Sequence, residues 1–125
     1  MEQQKTILIV EDEKSLASAL EIKLGLIGFR VLIASDGEEC MQIALREHPD
    51  LVLMDIVMPK MDGLTAIKKL REDEWGKTVP IIILTNSSNP QDMSEVTKNS
   101  VNAYLVKSDW KLEDVVEKVR KTLEQ

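Results

Sequence analysis

Leu51-Val52-Leu53-Met54-Asp55-Ile56-Val57-Met58-Pro59-Lys60-Met61-Asp62-Gly63 opens with four consecutive apolar residues, stops at a carboxylate, and continues into a loop punctuated by Pro59 and Gly63. An apolar run without alternation suits a strand covered on both faces, as in a parallel sheet between layers of helices. Open sheets of that kind bind ligands beyond the carboxyl ends of their strands. Asp55 would then stand at the rim where chemistry is expected. Taken alone, Asp55 reads equally well as a residue that starts a turn, and the rest of the chain has to separate the two readings.

Two further runs have the same character. Thr6-Ile7-Leu8-Ile9-Val10 ends abruptly at Glu11-Asp12-Glu13, and Ile81-Ile82-Ile83-Leu84, opened by Pro80, ends in Thr85-Asn86-Ser87-Ser88-Asn89-Pro90. Arg30–Ala34 reads as a shorter edge strand, and Ala103–Val106 as a last strand ending at Lys107. Between the strands the apolar period becomes helical. Leu16, Leu20, Leu24 and Ile27 form a stripe from Lys14 up to Gly28, a suitable C-terminal cap. After the turn Ser35-Asp36-Gly37, Glu38 to Glu47 buries Cys40, Ile43 and Ala44 until His48-Pro49 stops it.

Leu64, Ile67 and Leu70 mark a helix from Leu64 to Arg71, entered through Asp62-Gly63 and followed by a polar connection with Trp75-Gly76. Asn89 and Pro90 look like the N-cap and first position of a helix reaching about Asn99. Only Met93, Val96 and Val101 anchor it, which makes it a candidate moving part. Ser108-Asp109 introduces a final helix with Leu112, Val115, Val116, Val119 and Leu123 on its buried face. Five repeats of strand then helix imply an α/β fold: a flavodoxin-like, doubly wound, five-stranded parallel sheet in the order 2-1-3-4-5 with five helices. Its switch point falls between the first and third strands, which end in Glu11-Asp12 and Asp55.

Composition narrows the function. A chain of 125 residues is sized for one domain, 1–125, with a real core. Hydrophobic residues at 43% and charged residues at 30% match soluble globular proteins, and no apolar run approaches the roughly 20 residues needed to cross a bilayer. Met1–Lys5 carries no secretory pattern, and a single cysteine, Cys40, points to a reducing cytoplasm and a small core thiol. The net charge of -6 argues against nucleic acid or an anionic membrane as a direct partner. Protein partners remain open.

At the strand ends the chain would gather Glu11, Asp12, Asp55, Thr85 and Lys107. Clustered carboxylates repel, and the usual remedy is a hard divalent cation with oxygen ligands, here expected to be Mg2+. A carboxylate beside Mg2+ can act as a nucleophile toward phosphorus, with the metal neutralising phosphoryl oxygens. Lys107 adds a point charge and Thr85 a hydroxyl donor for the remaining oxygens.

Over nearly its whole length, from Ile7 to Leu123, the chain resembles the receiver domain of two-component response regulators. The matching motifs are Ile9-Val10-Glu11-Asp12, Met54-Asp55 with Pro59 and Asp62-Gly63, Leu84-Thr85, and Tyr104-Leu105-Val106-Lys107. The resemblance implies that Asp55 accepts a phosphoryl group from a histidine kinase or phosphotransfer protein. Asp12 and Asp55 would ligate Mg2+, with Glu11 nearby or through water and the Val57 backbone carbonyl as a further ligand. Lys107 would pair with phosphoryl oxygens. Thr85 and Tyr104 would be the switch residues, remodelling the face of the fourth helix, fifth strand and fifth helix for a downstream protein or output domain, or for a weak dimer of an otherwise monomeric chain. Such a protein is a phosphoacceptor that assists its own phosphorylation and dephosphorylation rather than a conventional enzyme.

Three departures from the family pattern stand out. Ser108 replaces a proline that often follows the lysine and commonly carries a cis bond, Asn86 replaces a small residue after the switch hydroxyl, and Val57 cannot orient an attacking water. A competing reading keeps the receiver-like fold as an adaptor that binds partners without phosphorylation. A flavodoxin-like cofactor protein is disfavoured, because Glu11-Asp12-Glu13 would repel a phosphate where a phosphate loop is needed. His48 has no metal-ligand neighbours in the sequence, and Trp75 and Trp110 read as packing residues, with Trp110 near the output face as the alternative. If the chain is complete, it must act by binding another protein.

Overall fold

The computed structural model describes residues 4–58 and 60–124; the readings above that touch residues 1–3, Pro59 and Gln125 lie outside them. Strands β1 (Thr6–Val10), β2 (Arg30–Ala34), β3 (Leu51–Met54), β4 (Ile81–Thr85) and β5 (Ala103–Val106) alternate with helices α1 (Lys14–Leu26), α2 (Gly37–Glu47), α3 (Gly63–Glu72), α4 (Pro90–Thr97) and α5 (Leu112–Glu124). All pairings are parallel, as the strand-helix alternation predicts, and the order is the flavodoxin-like β2-β1-β3-β4-β5 expected for five strands.

The uninterrupted apolar strands are needed because the sheet is covered on both sides. Leu8, Val10, Val52, Met54, Ile81 and Ile83 point into a core closed by Cys40 and Ala44 of α2, Ala66, Ile67 and Leu70 of α3, and Val96 of α4. Their strand neighbours Ile7, Ile9, Leu51, Leu53, Ile82 and Leu84 face Ala17, Leu20 and Leu24 of α1 with Val115 and Val119 of α5. Successive residues within these strands alternate between the two cores, so the runs are apolar without alternation. Burial pushes the Cys40 thiol up to about 12, leaving it a packing group.

Local signals set most helix ends. Gly28 (φ 103) terminates α1, with the Phe29 amide donating to the Leu24 carbonyl at 3.2 Å in a Schellman-type closure. Asp36 accepts from the Glu39 amide (2.8 Å), Asp62 from Thr65 (2.8 Å) and Asn89 from Gln91 (2.8 Å), each capping its helix. Several expectations need correction. Ile27 is the C-cap of α1, one residue past its last helical turn and just before the turn at Gly28, and is 49% exposed rather than part of the buried stripe. Helix α2 begins one residue earlier than expected, at Gly37, and α4 ends at Thr97 with Val96 its one buried residue. Ser108-Asp109 does not open α5: Lys107–Asp109 forms a separate 3-10 turn and α5 starts at Leu112.

Trp75 does pack, against the α2–α4 side of the sheet and stacked on His48 with ring centroids 4.8 Å apart. Trp110 is 38% exposed instead, carried outward between the 3-10 turn and α5. Arg71, at the end of α3, donates to the carbonyls of Gly76, Val79, Asn99 and Ser100. One guanidinium thereby pins the turn that follows α4.

Candidate functional site

The sheet ladder itself brings the acids together. Val10 pairs with Met54 across β1 and β3, and the next ladder bonds run from the Asp55 amide to the Val10 carbonyl (3.0 Å) and from the Glu11 amide to Ala34 (2.9 Å). Glu11 and Asp55 therefore leave neighbouring strands at the same level, both buried, with Asp12 exposed beside them. Carboxylate oxygens of Glu11, Asp12 and Asp55 all lie within 4.8 Å of one another.

Lys107 reaches this cluster from the end of β5, two strands away from β3. Its Nζ lies 2.8 Å from Glu11 Oε1, 3.0 Å from Asp55 Oδ2 and 3.8 Å from Glu13. The other oxygen of each buried acid has a backbone partner. Glu11 Oε2 accepts from the Glu13 amide (3.0 Å) and Asp55 Oδ1 from the Val57 amide (3.0 Å). Each carboxylate is thus oriented from both ends, which is what a pre-positioned nucleophile or metal ligand requires.

Acid exceeds base here, and the titration behaviour follows. Burial, reinforced by the Asp55 charge, raises the Glu11 carboxyl above the ordinary glutamate range although Lys107 and the Glu13 amide oppose it. Burial alone would lower the Lys107 ammonium; hydrogen bonds and charge from Glu11 and Asp55 outweigh it, and the net shift is upward. Three oxygen donors of this charge, two buried and one open to water, suit a hard divalent cation that keeps part of its hydration shell.

Thr85 ends β4 between β3 and β5, fully buried, and its hydroxyl accepts from the Ser87 amide at 3.4 Å. Tyr104 on β5 packs against the α2–α4 core and donates its phenol to the Ser87 carbonyl at 2.8 Å; burial raises its pKa. Asn86 is exposed, and Val57, 62% exposed, stands beside Asp55. No peptide bond among the described residues is cis, so the Lys107–Ser108 link stays trans. Sequence reasoning missed two contributors, Glu13 as a second-line acid beside Lys107 and Ser87 as the residue that meets both Thr85 and Tyr104. The acidic run after β1 was a visible signal for Glu13; a serine in a polar loop offers none. A roomier cleft of about 910 Å³ lies at the opposite ends of β1 to β3, lined by Lys5, Phe29, Asp50 and Arg120, away from these groups.

The family model of the response regulator receiver domain matches residues 7–120. The chain belongs to that family. Receiver domains serve two-component signalling, and this one is 41% identical over 105 residues to a probable transcriptional regulator, ycf27, of Porphyridium aerugineum, covering 84% of this chain and 42% of the relative. The receiver domain thus spans less than half the length of that curated relative. Among solved structures it is similar to the receiver domain of the sensor histidine kinase PA1611 from Pseudomonas aeruginosa, determined with a magnesium ion coordinated in the active-site cleft (TM-score 0.84, 29% identity, 98% of this chain and 100% of that one). It is also similar to the phosphorylated cyanobacterial phytochrome response regulator RcpA (TM-score 0.81, 30% identity, 98% and 93% covered). Among the described residues no helix is long and apolar enough to cross a membrane.

Proposed function

We propose that this receiver domain is a phosphorylation-controlled switch in which Asp55 accepts the phosphoryl group of a phosphohistidine on a histidine kinase or phosphotransfer protein. The observation that carries the reading is the two-ended hold on Asp55, with one oxygen on the Lys107 ammonium and the other on the Val57 amide, inside a cluster of three carboxylates. Asp12, Asp55 and the Val57 carbonyl would hold Mg2+, with Glu11 close by or through water. When bound there, Mg2+ would neutralise phosphoryl oxygens as charge develops in the transition state. The Asp55 oxygen forms the O–P bond while the P–N bond of the donor breaks and its imidazole departs. Lys107 then exchanges its contact with the carboxylate for one with a phosphoryl oxygen, and the Thr85 hydroxyl donates to another.

The reading extends to output. Thr85 and Tyr104 would report the phosphoryl group to the α4–β5–α5 face, where α4 buries a single residue and is held loosely. A downstream protein or an attached output domain would bind that face, or two copies would associate weakly through it, in the cytoplasm. Transcriptional activity belongs to the longer relatives as whole proteins. The test is incubation with acetyl phosphate and Mg2+ followed by intact mass. A one-phosphoryl gain is expected in the wild type with Mg2+, with none after chelation and none in Asp55→Asn. Equal gain in both proteins, or none in either, favours the phosphorylation-independent adaptor.

The raised Glu11 pKa sets the sign of two pH effects. The group binds its proton more readily folded than unfolded, so its contribution to stability is present below its unfolded pKa and lost as pH rises through the folded one. Protons and Mg2+ compete for the same negative pocket, so Mg2+ affinity should begin to weaken on acidification at a higher pH than an exposed glutamate would impose. Calorimetric titration with Mg2+ at a series of falling pH values should show a flatter profile for Glu11→Gln; identical slopes in the two proteins would remove Glu11 from the metal linkage.

Val57 bears on lifetime. Its apolar side chain stands exposed beside Asp55 with no group to orient a hydrolytic water. The phosphoprotein should therefore decay slowly, and Val57→Asn should hasten the loss of the added mass. Unchanged decay would exclude a role for this position.

A further inference from the structure

Four hydrogen bonds converge on Ser87, in the loop between β4 and α4. Its amide donates to the Thr85 hydroxyl (3.4 Å), its carbonyl accepts from the Tyr104 phenol (2.8 Å), and its own hydroxyl donates to Asp92 Oδ2 (2.7 Å) and accepts from the Asn89 amide (3.4 Å). Asp92 lies in the first turn of α4, and Asn89 is the cap of that helix. Backbone and side chain of one residue therefore face in different directions: the backbone meets the groups next to the phosphoryl site, and the hydroxyl meets the helix.

The bond to Asp92 matters because so little else fixes that end of α4. Val96 is the one buried side chain of the helix, and the Arg71 clamp grips the opposite end through the Asn99 and Ser100 carbonyls. With its far end clamped and one side chain buried, the first turn of α4 is fixed mainly by its local hydrogen bonds. The charged bond from Ser87 to Asp92 is the contact placed to move the free end.

Resting on the switch reading above, we propose that Ser87 is a positioning residue whose hydroxyl bond to Asp92 ties the first turn of α4 to Thr85 and Tyr104, making the three one mechanical unit. Displacement of the Thr85 hydroxyl or the Tyr104 phenol reaches α4 through this residue. Cutting the bond to Asp92 leaves Asp55, Lys107 and the acids in place and frees the helix end.

Tyr104 is the sole tyrosine of the chain, so a ring-carbon label gives one NMR resonance, read alongside amide exchange in residues 91–93. Wild type, Ser87→Ala, Asp92→Ala and the double variant are compared in the unliganded protein. Ser87→Thr serves as the variant that keeps the hydroxyl. Exchange at the start of α4 should rise at least threefold and the tyrosine resonance should shift in Ser87→Ala. Asp92→Ala, which removes the acceptor, should do the same, the double variant should add nothing, and Ser87→Thr should restore both signals. Wild-type values in the single variants, or additive effects, would overturn the tie. The same probes are then followed on adding Mg2+ with beryllofluoride. Both should move together in the wild type, whereas in Ser87→Ala the tyrosine moves alone; a joint response in that variant also overturns the proposal. If acetyl phosphate adds no mass to the wild type, the switch reading fails by itself, and the unliganded comparison still decides the tie.

Discussion

Lys107→Met is expected to lose about 2–4 kcal/mol of stability in the absence of divalent cations, and to regain most of it with Mg2+. The Lys107 ammonium sits between Glu11 (2.8 Å) and Asp55 (3.0 Å), whose side chains are nearly inaccessible to water. Removing it leaves two buried carboxylates, with Asp12 beside them, held only by the Glu13 and Val57 amides. A buried ion pair broken from one side costs more than the pair was worth, because the remaining charge stays desolvated. The expected loss is set below the full range for such a break because Asp12 and Glu13 are open to solvent and the acids can take up protons. A cation bound to the acids replaces the missing charge and stabilises by mass action, so the variant should gain more from Mg2+ than the wild type does. Urea unfolding with chelator and with Mg2+ measures both terms. A variant as stable as wild type under chelation, or equal stabilisation of both proteins by Mg2+, would contradict this account of the cluster. The same variant should accept a phosphoryl group poorly, since the charge that meets the phosphoryl oxygens is gone.

Gly63→Ala should cost more than about 2 kcal/mol and disturb the phosphoacceptor as well. A methyl group on Gly63 would fall 2.5 Å from Ile56 Cα and 2.6 Å from the Asp55 carbonyl oxygen, both backbone atoms that cannot rotate aside. The amide of Gly63 also donates to the Ile56 carbonyl at 3.1 Å, drawing the start of α3 against the strand tip. The clash can be relieved only by separating α3 from the end of β3, which shifts the peptide leading out of Asp55. The substitution should therefore lower both the unfolding free energy and the yield of phosphoprotein. Gly25→Ala is the control. In the last turn of α1 nothing lies within 4 Å of its added methyl, and the change should stabilise by about 0.5–1 kcal/mol through helix propensity. If Gly63→Ala were as stable as wild type, the close approach of α3 to the strand end would not hold in solution.

Much of the fold was legible in the residues. The three continuous apolar runs and the helical stripes between them carried the parallel sheet, because a strand buried on both faces shows no polar alternation; the strand order came from the doubly wound pattern that five such units commonly adopt. Caps such as Asp36, Asp62 and Asn89 carried helix starts, since their side chains satisfy backbone amides within three residues. The misreadings came where distant contacts decide. Ile27 continued a helical period but lies at the C-cap and is half exposed, Ser108-Asp109 resembled a cap but lies in a 3-10 turn of its own, and Trp110 looked like packing but faces solvent in part.

By itself the sequence determined which residue types end each buried strand, and so which acids, hydroxyl and amine could meet at one rim, because strand and helix periods are local properties of the chain. Only the tertiary structure decided that Lys107 bridges Glu11 and Asp55 at once, that Glu13 stands behind it, and that Ser87 joins Thr85, Tyr104 and the first turn of α4. Those contacts join residues whose separation along the chain carries no period, and their geometry follows from strand order and side-chain direction after the two cores have closed.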